Sequence, residues 1–142
     1  MKNFIYIGVA AAIGAWGRWG LGILLDTLHP IFPIGTLTVN LLGGYLMGVS
    51  MGAFEFFSDL SPDLKLIINI GFLGSLTTFS AFTADIFQLL QKNELVASLT
   101  LIALHVFGSI LMAYLGWLSI SFINLTVTGF VSFEYSFTSS II

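Results

Sequence analysis

Four long apolar runs, each closed by a short polar or proline-bearing stretch, make up most of the chain. They cover about residues 3–25, 33–57, 63–90 and 94–123. Crossing the hydrocarbon core of a bilayer as a helix takes about 20 apolar residues, so each run predicts a membrane-spanning helix. The punctuation between the runs supports the same boundaries. In "HPIFPIG", Pro30 and Pro33 are expected to break the chain and then open the second helix, because proline suits a first helical turn. "SPDL" supplies Ser61 as a cap, Pro62 at the first helical position and Asp63 against the positive helix end. "KNEL" is expected to repeat that logic, with Asn93 as cap and Glu94 in the first turn. This divides the chain into a four-span domain, 1–124, and a tail, 125–142, of undetermined structure. The tail is apolar but rich in β-branched and hydroxyl residues. It can prolong the fourth helix, lie on the interface or stay disordered.

Polar residues inside apolar runs need a reason. In "GSLTTFSAF", residues 74–82, a glycine, four hydroxyls and two phenylalanines interrupt the third run. Non-helical backbone in lipid is tolerated only where it is buried in protein or lines a cavity. A break at residues 74–78 would leave carbonyls without intrahelical partners, and a bare cation can satisfy such groups. Phe79 and Phe82 fall three residues apart, on one face, and an aromatic ring has an electropositive edge that can meet an anion. Flexible packing around core phenylalanines is the plainer alternative. Arg18 lies within the first span, where it either snorkels to headgroups, makes a structural contact or draws anions into a vestibule. Asn40, deeper in "GTLTVNLLGG", serves as interhelical glue or as an amide donor to a permeating anion. Gly44, Gly48 and Gly52 form a GxxxGxxxG ridge that admits another backbone; with so little interior in four spans, a homodimer is expected. His105 and Ser109 share a face of the fourth helix.

Composition changes this picture by exclusion. The chain is 57% hydrophobic and 8% charged, with a mean hydropathy of +1.03. Soluble domains average roughly 25% charged residues, so lipid must replace water over most of this surface. Lys2 before the first run resembles a signal-peptide start, but span length and the further spans argue for a retained first helix. Without cysteine, disulfides, thiolate metal sites and thiol nucleophiles drop out. A net charge of −3 and the lack of a basic run leave nucleic acid without phosphate contacts. Lys2 and Lys65 oppose Lys92 across the membrane, a two-to-one bias that either sets one orientation or is too weak to do so. A chain able to insert both ways can pair with an oppositely oriented copy. Asp85 closes the uncharged part of the third span and is expected near the interface, so the buried carboxylate needed for proton coupling or cation transport is missing. Ser80 and Ser109 have only His105 as a base, with no acid to orient it, which argues against hydrolysis and against an enzyme.

"GAWGRW" in span one, "GTLTVNLLGGYLMG" in span two and "GFLGSLTTFSAF" in span three together resemble the Fluc (CrcB) family of fluoride channels, over roughly residues 4–120. Each motif is weak alone; the three at this spacing in a four-span chain are specific. The resemblance implies an all-α integral membrane fold with a broken third helix, in the plasma membrane, as an antiparallel dual-topology homodimer enclosing two narrow pores. It implies a structural, untransported sodium ion at the dimer centre, which backbone carbonyls of Gly74 and Thr77 would hold. Phe79 and Phe82 match the family's paired phenylalanines, Asn40 its pore-lining asparagine, and Ser80 and Ser109 its hydroxyl positions along the ion path. Arg18 matches the family's arginine, in a structural or vestibule role. His105 stands where members often carry tyrosine, and Ala81 and Ala113 where hydroxyls are common, which thins the polar track. Some members occur as paired, non-identical chains, which leaves a paralogous partner open.

The expected function is passive export of fluoride from the cytoplasm. Fluoride is small and strongly hydrated, so dehydrating it needs close donors. A fixed lysine or arginine in the constriction would hold it too tightly for release. A small four-helix drug or cation exporter is the first rival, but it needs an intramembrane glutamate where span one has only Arg18. A non-conducting membrane subunit is the second, and it leaves the Phe/hydroxyl cluster unexplained.

Overall fold

The computed structural model describes residues 2–29, 32–57 and 59–139, and its elements are helical throughout. Helix α1 runs Lys2–Leu25 and ends in a 3₁₀ turn, Asp26–Leu28. Helix α2 is Ile34–Phe56. The third span is a composite: α3 (Pro62–Leu66), a π-helical segment (Ile67–Leu73), α4 (Gly74–Leu76) and α5 (Phe79–Gln91). The fourth comprises α6 (Leu95–Ala103), a second π-helical segment (Leu104–Gly108) and α7 (Ser109–Ser139). The four spans Lys2–Leu28, Ile34–Phe56, Pro62–Gln91 and Leu95–Thr128 are each long and apolar enough to cross a membrane.

The helix ends show which sequence signals carried physical force. The Ser61 hydroxyl accepts from the Leu64 amide at 3.2 Å and Pro62 opens α3, as a capping serine followed by proline should. Pro33 differs from expectation. It precedes α2 as the cap residue instead of entering the first turn, and Pro30 lies outside the described residues. Asn93 also differs: it caps no helix start. It adopts φ 61°, and its amide reaches the Leu90 carbonyl at 3.0 Å while the Glu94 amide reaches Leu89 at 2.9 Å. That pair is the Schellman closure of α5, and asparagine is one of the few residues besides glycine that tolerates this left-handed position. Helix α7 continues through residues 125–139 without a joint at 124, so the tail prolongs the fourth helix there; residues 140–142 lie outside the described residues.

The glycine ridge of α2 has a different partner from the one expected. Gly44, Gly48 and Gly52 face α7 of the same chain: a Cβ at Gly48 would fall on the Ala113 carbonyl, and one at Gly44 would come within 2.7 Å of the Ser109 carbonyl. Gly116 returns the contact from α7, where a Cβ would fall on the Tyr45 carbonyl. The ridge is therefore used up inside one chain and is no argument for a dimer. Side-chain bonds lock the same seam, Tyr45 Oη donating to Ser119 Oγ at 3.1 Å and Trp117 Nε1 to Glu55 Oε2 at 2.7 Å. Elsewhere Ser50 Oγ donates to Asn69 Oδ1 at 2.6 Å, tying α2 to the π-helical segment of span three.

Replacing Gly48 by valine should lower the thermal midpoint of the detergent-purified protein, at a cost of roughly 1–3 kcal/mol for overpacking. Gly8, whose Cβ would meet nothing within 4 Å, supplies the control: Gly8→Ala should leave the midpoint unchanged.

Candidate functional site

The third span stops being helical at Thr77 and Thr78, whose backbones are extended (φ/ψ −80°/157° and −149°/119°). The interruption is narrower than the 74–78 stretch expected, because residues 74–76 still form a helical turn. Its cause is local: Gly74, Ser75, Thr77 and Thr78 are poor helix formers, and the hydroxyls offer the backbone other partners. The Thr78 hydroxyl caps α5 by accepting from the Ala81 amide at 3.0 Å, and it lies 3.2 Å from Ser80 Oγ. The Thr77 amide and hydroxyl both donate to the Leu73 carbonyl, at 3.0 and 2.9 Å.

Two side chains from other spans satisfy further backbone groups. Asn40, on α2, uses both ends of its amide on one residue: Nδ2 donates to the Thr78 carbonyl at 3.0 Å, and Oδ1 accepts from the Thr78 amide at 2.8 Å. This is the pairing a neighbouring β-strand would offer, supplied by one side chain. Arg18 Nε donates to the Ser75 carbonyl at 3.1 Å, so the guanidinium finishes the C-terminal end of α4. Arg18 makes a structural contact while lining, with Asp26, Thr36 and Thr78, a cavity of about 690 Å³. Three carbonyls are left over. Among the described residues, no hydrogen bond reaches the carbonyl of Gly74, Leu76 or Thr77. Gly74, Phe79 and Ser80 are exposed on the single chain.

Beside the break lies a second cavity, of about 430 Å³, between α2, α5 and the fourth span. Asn40, Phe79, Phe82, His105, Ser109 and Thr77 all line it, so the structure brings most of the expected residues to one place. Phe82 is buried and Phe79 is 77% exposed, their ring centroids 5.4 Å apart. His105, only 5% exposed, lies against Phe82 with ring centroids 4.5 Å apart. Ser109 Oγ is 3.5 Å from the Asn40 carbonyl, a long contact that leaves the hydroxyl nearly free. Ser80 does not line this cavity; it is exposed, beside the Thr78 hydroxyl. Of the two alanines, Ala81 borders the Arg18 cavity and Ala113 sits in the α2–α7 seam. Among the described residues, no charged side chain lines the second cavity.

Gly43, Gly14 and Met47 were not singled out by sequence reading. A Cβ at Gly43 would strike Thr77 Cγ2, and one at Gly14 would strike the Phe72 carbonyl, so both glycines make room for the break. The signal was present, since Gly14 opens "GAWGRW" and Gly43 ends "NLLG". Asp85 sits midway along α5, with Asp26, His29 and Lys92 around a cavity of about 250 Å³.

Asn40→Ala should leave both polar groups of the Thr78 peptide unpaired, at about 1–3 kcal/mol for each buried group. Faster amide hydrogen exchange over residues 78–82, with α2 still protected, is the expected result; unchanged exchange at Thr78 would show that the clamp is dispensable.

Sequence comparison agrees with this geometry. The model of the family described as "CrcB-like protein, Camphor Resistance (CrcB)" matches residues 5–117. A protein of Pseudomonas putida (strain W619) is 44% identical over 87% of this chain and 98% of its own length. One from Aromatoleum aromaticum (strain DSM 19018 / LMG 30748 / EbN1) is 46% identical over 82% of this chain and 89% of its own. One from Desulfovibrio desulfuricans (strain ATCC 27774 / DSM 6949 / MB) is 46% identical over 82% of this chain and 90% of its own. Each of the three is named "Fluoride-specific ion channel FluC". With a family match across all four spans and relatives this similar over most of their length, the chain belongs to the CrcB family of four-span membrane proteins.

Proposed function

We propose that the chain is a fluoride-selective channel that lets fluoride leave the cytoplasm passively, and that it is not an enzyme. The observation that carries the reading is the uncharged cavity beside the broken helix, in a chain whose relatives bear the name of fluoride channels. A fluoride ion entering it meets the second N–H of the Asn40 amide, the Ser109 hydroxyl and the rims of Phe79 and Phe82. Each is a donor or an electropositive edge without a formal charge. The ion can exchange water for these groups and still be released, as conduction demands. Arg18 adds positive potential in the neighbouring cavity, where its charge attracts anions without gripping one in the constriction. A negative-inside membrane potential drives the anion outward.

The working unit of this reading is an antiparallel pair of chains. Gly74, Phe79 and Ser80 leave the break and an aromatic ring exposed on the single chain, and lipid cannot satisfy backbone carbonyls. A second copy laid against that face covers it and completes the wall that Phe79 only half builds. The weak Lys2/Lys65 against Lys92 charge bias permits the opposite insertion that such pairing needs. The free carbonyls of Gly74 and Thr77 fit a sodium ion, which takes neutral oxygen ligands. Bound there, sodium would supply the positive charge that balances these carbonyls where two chains meet. The chain's own part is to hold the break in a fixed geometry, which Asn40 does by fixing Thr78 and Arg18 by fixing Ser75.

Two experiments test these statements. Purified protein in liposomes should release fluoride rapidly and chloride negligibly. Phe82→Ile and Phe79→Ile should bring fluoride release down to that of protein-free vesicles, and full flux in both variants would remove the rings from the pathway. The chain contains no cysteine, so Ser80→Cys provides a single reporter for the dimer and the ion. In sodium buffer a bifunctional thiol reagent should give a covalent dimer. Replacing sodium by N-methylglucamine should sharply reduce that dimer; a monomer in both buffers would defeat the pairing, and equal dimer in both would defeat the sodium site.

A further inference from the structure

A further cavity, of about 350 Å³, lies between α2 and the first half of the third span and takes no part in the channel reading. From α2 it is lined by Leu46, Val49 and Ala53, which recur at helical spacing on one face. From the third span come Leu64, Ile68 and Phe72, one turn apart, with Leu60 in the turn before α3. Leu46 to Phe54 covers about 12 Å along α2, most of the ~15 Å that the hydrocarbon of one leaflet spans. The hydroxyl in the lining, that of Ser50, is already given to Asn69, so nothing in the trough would hold a water. The loop end has a different character. Lys65 Nζ lies 5.9 Å from the centroid of the Phe54 ring, itself part of the lining. Among the described residues, that ammonium makes no ion pair. Of the carboxylates nearby in sequence, Glu55 accepts from Trp117 and Asp63 from Asn3. Asp59, exposed and next to Leu60, has no hydrogen bond among the described residues.

We propose that this trough seats one acyl chain of a zwitterionic phospholipid that carries a primary ammonium, such as phosphatidylethanolamine. The tail lies along the α2 and third-span stripes, the lipid phosphate meets Lys65, and the lipid ammonium meets Asp59. The lysine stem suits this place, since its methylenes can follow apolar surface while the charge stays among headgroups. A headgroup of net negative charge would meet Asp59 and Asp63 as like charges, and a choline headgroup has no N–H to donate. Both signs at the mouth of an apolar trough therefore select a headgroup that also carries both. The deep end of the trough closes on Phe72 and Leu73. The Leu73 carbonyl receives both the amide and the hydroxyl of Thr77, so a seated tail braces the turn that leads into the break. The site stands on the apolar trough and its charged rim alone and does not depend on the fluoride reading.

The test is native mass spectrometry of the full chain in detergent, mixed with phosphatidylethanolamine, phosphatidylcholine and phosphatidylglycerol of identical acyl chains. The wild type should retain the ethanolamine lipid in preference to the other two. Lys65→Gln, an exposed change that leaves the packing alone, should lower that retention by about fivefold. Asp59→Asn should remove the advantage over phosphatidylglycerol. Ala53→Phe fills the trough and should abolish retention of all three. Equal retention of the three lipids by the wild type, or equal retention of the ethanolamine lipid by wild type and Lys65→Gln, would overturn the proposal. A second copy bound in place of lipid, seen as a dimer that Ala53→Phe alone dissociates, would also overturn it. Hydrogen exchange tests the depth of the tail. Added phosphatidylethanolamine should slow amide exchange over residues 72–78 in the wild type and leave it unchanged in Lys65→Gln; no slowing in the wild type would defeat the seating of the tail against Leu73.

Discussion

The pairing of the Asn40 amide with the peptide of Thr78 is the interaction on which the site depends. An extended residue in the middle of a membrane span has an amide and a carbonyl with no helical partner, and hydrocarbon offers none. One asparagine satisfies both, at 2.8 and 3.0 Å, so the break is a defined geometry instead of a locally melted helix. Its neighbours follow from it. Arg18 takes the Ser75 carbonyl and Thr77 takes that of Leu73. The accounting closes except at the carbonyls of Gly74, Leu76 and Thr77.

Asn40 can hold the break only if α2 is itself held. The α2–α7 seam does this through backbone proximity at Gly44, Gly48 and Gly116. Small residues here serve packing between helices, where lipid tails supply no hydrophobic driving force and van der Waals contact must do the work. The same close approach sets the width of the cavity beside the break, since Ser109 and Asn40 stand on the two helices that the glycines draw together. Gly43 then admits Thr77, and Gly14 admits the turn before it. Stability and site geometry therefore draw on one set of contacts, and a glycine substitution far from any polar group can alter the cavity.

The cavity shows a division of labour. Phe82 and His105 are buried and fixed against each other, whereas Phe79 stands outward at 77% exposure. One chain thus builds one finished wall and one unfinished one. Among the described residues, no Asp, Glu, Lys or Arg lines the space, which suits an ion that must enter and also leave.

Much of this was legible in the letters. Span number and limits follow from apolar run length, because the thickness of the bilayer dictates it. The interruption of span three is written in Gly74, Ser75, Thr77 and Thr78, because their helix propensities are local properties of the chain. Ser61 and Pro62 announced a helix start for the same reason. Partners were not legible. The ridge of α2 read as an invitation to another chain, but the choice between α7 and a second copy depends on which surface arrives in three dimensions. Asn93 read as a cap, but closing α5 required its left-handed backbone and the reach of Glu94 back to Leu89. Arg18 and Asn40 were visible as polar residues in lipid, yet which carbonyls they satisfy is a matter of distances across 57 and 38 residues of sequence. Local chemistry therefore determined the helices and the place of the break. Tertiary structure alone decided which groups were paired across it, because hydrogen bonds and close packing act between atoms that the sequence keeps far apart.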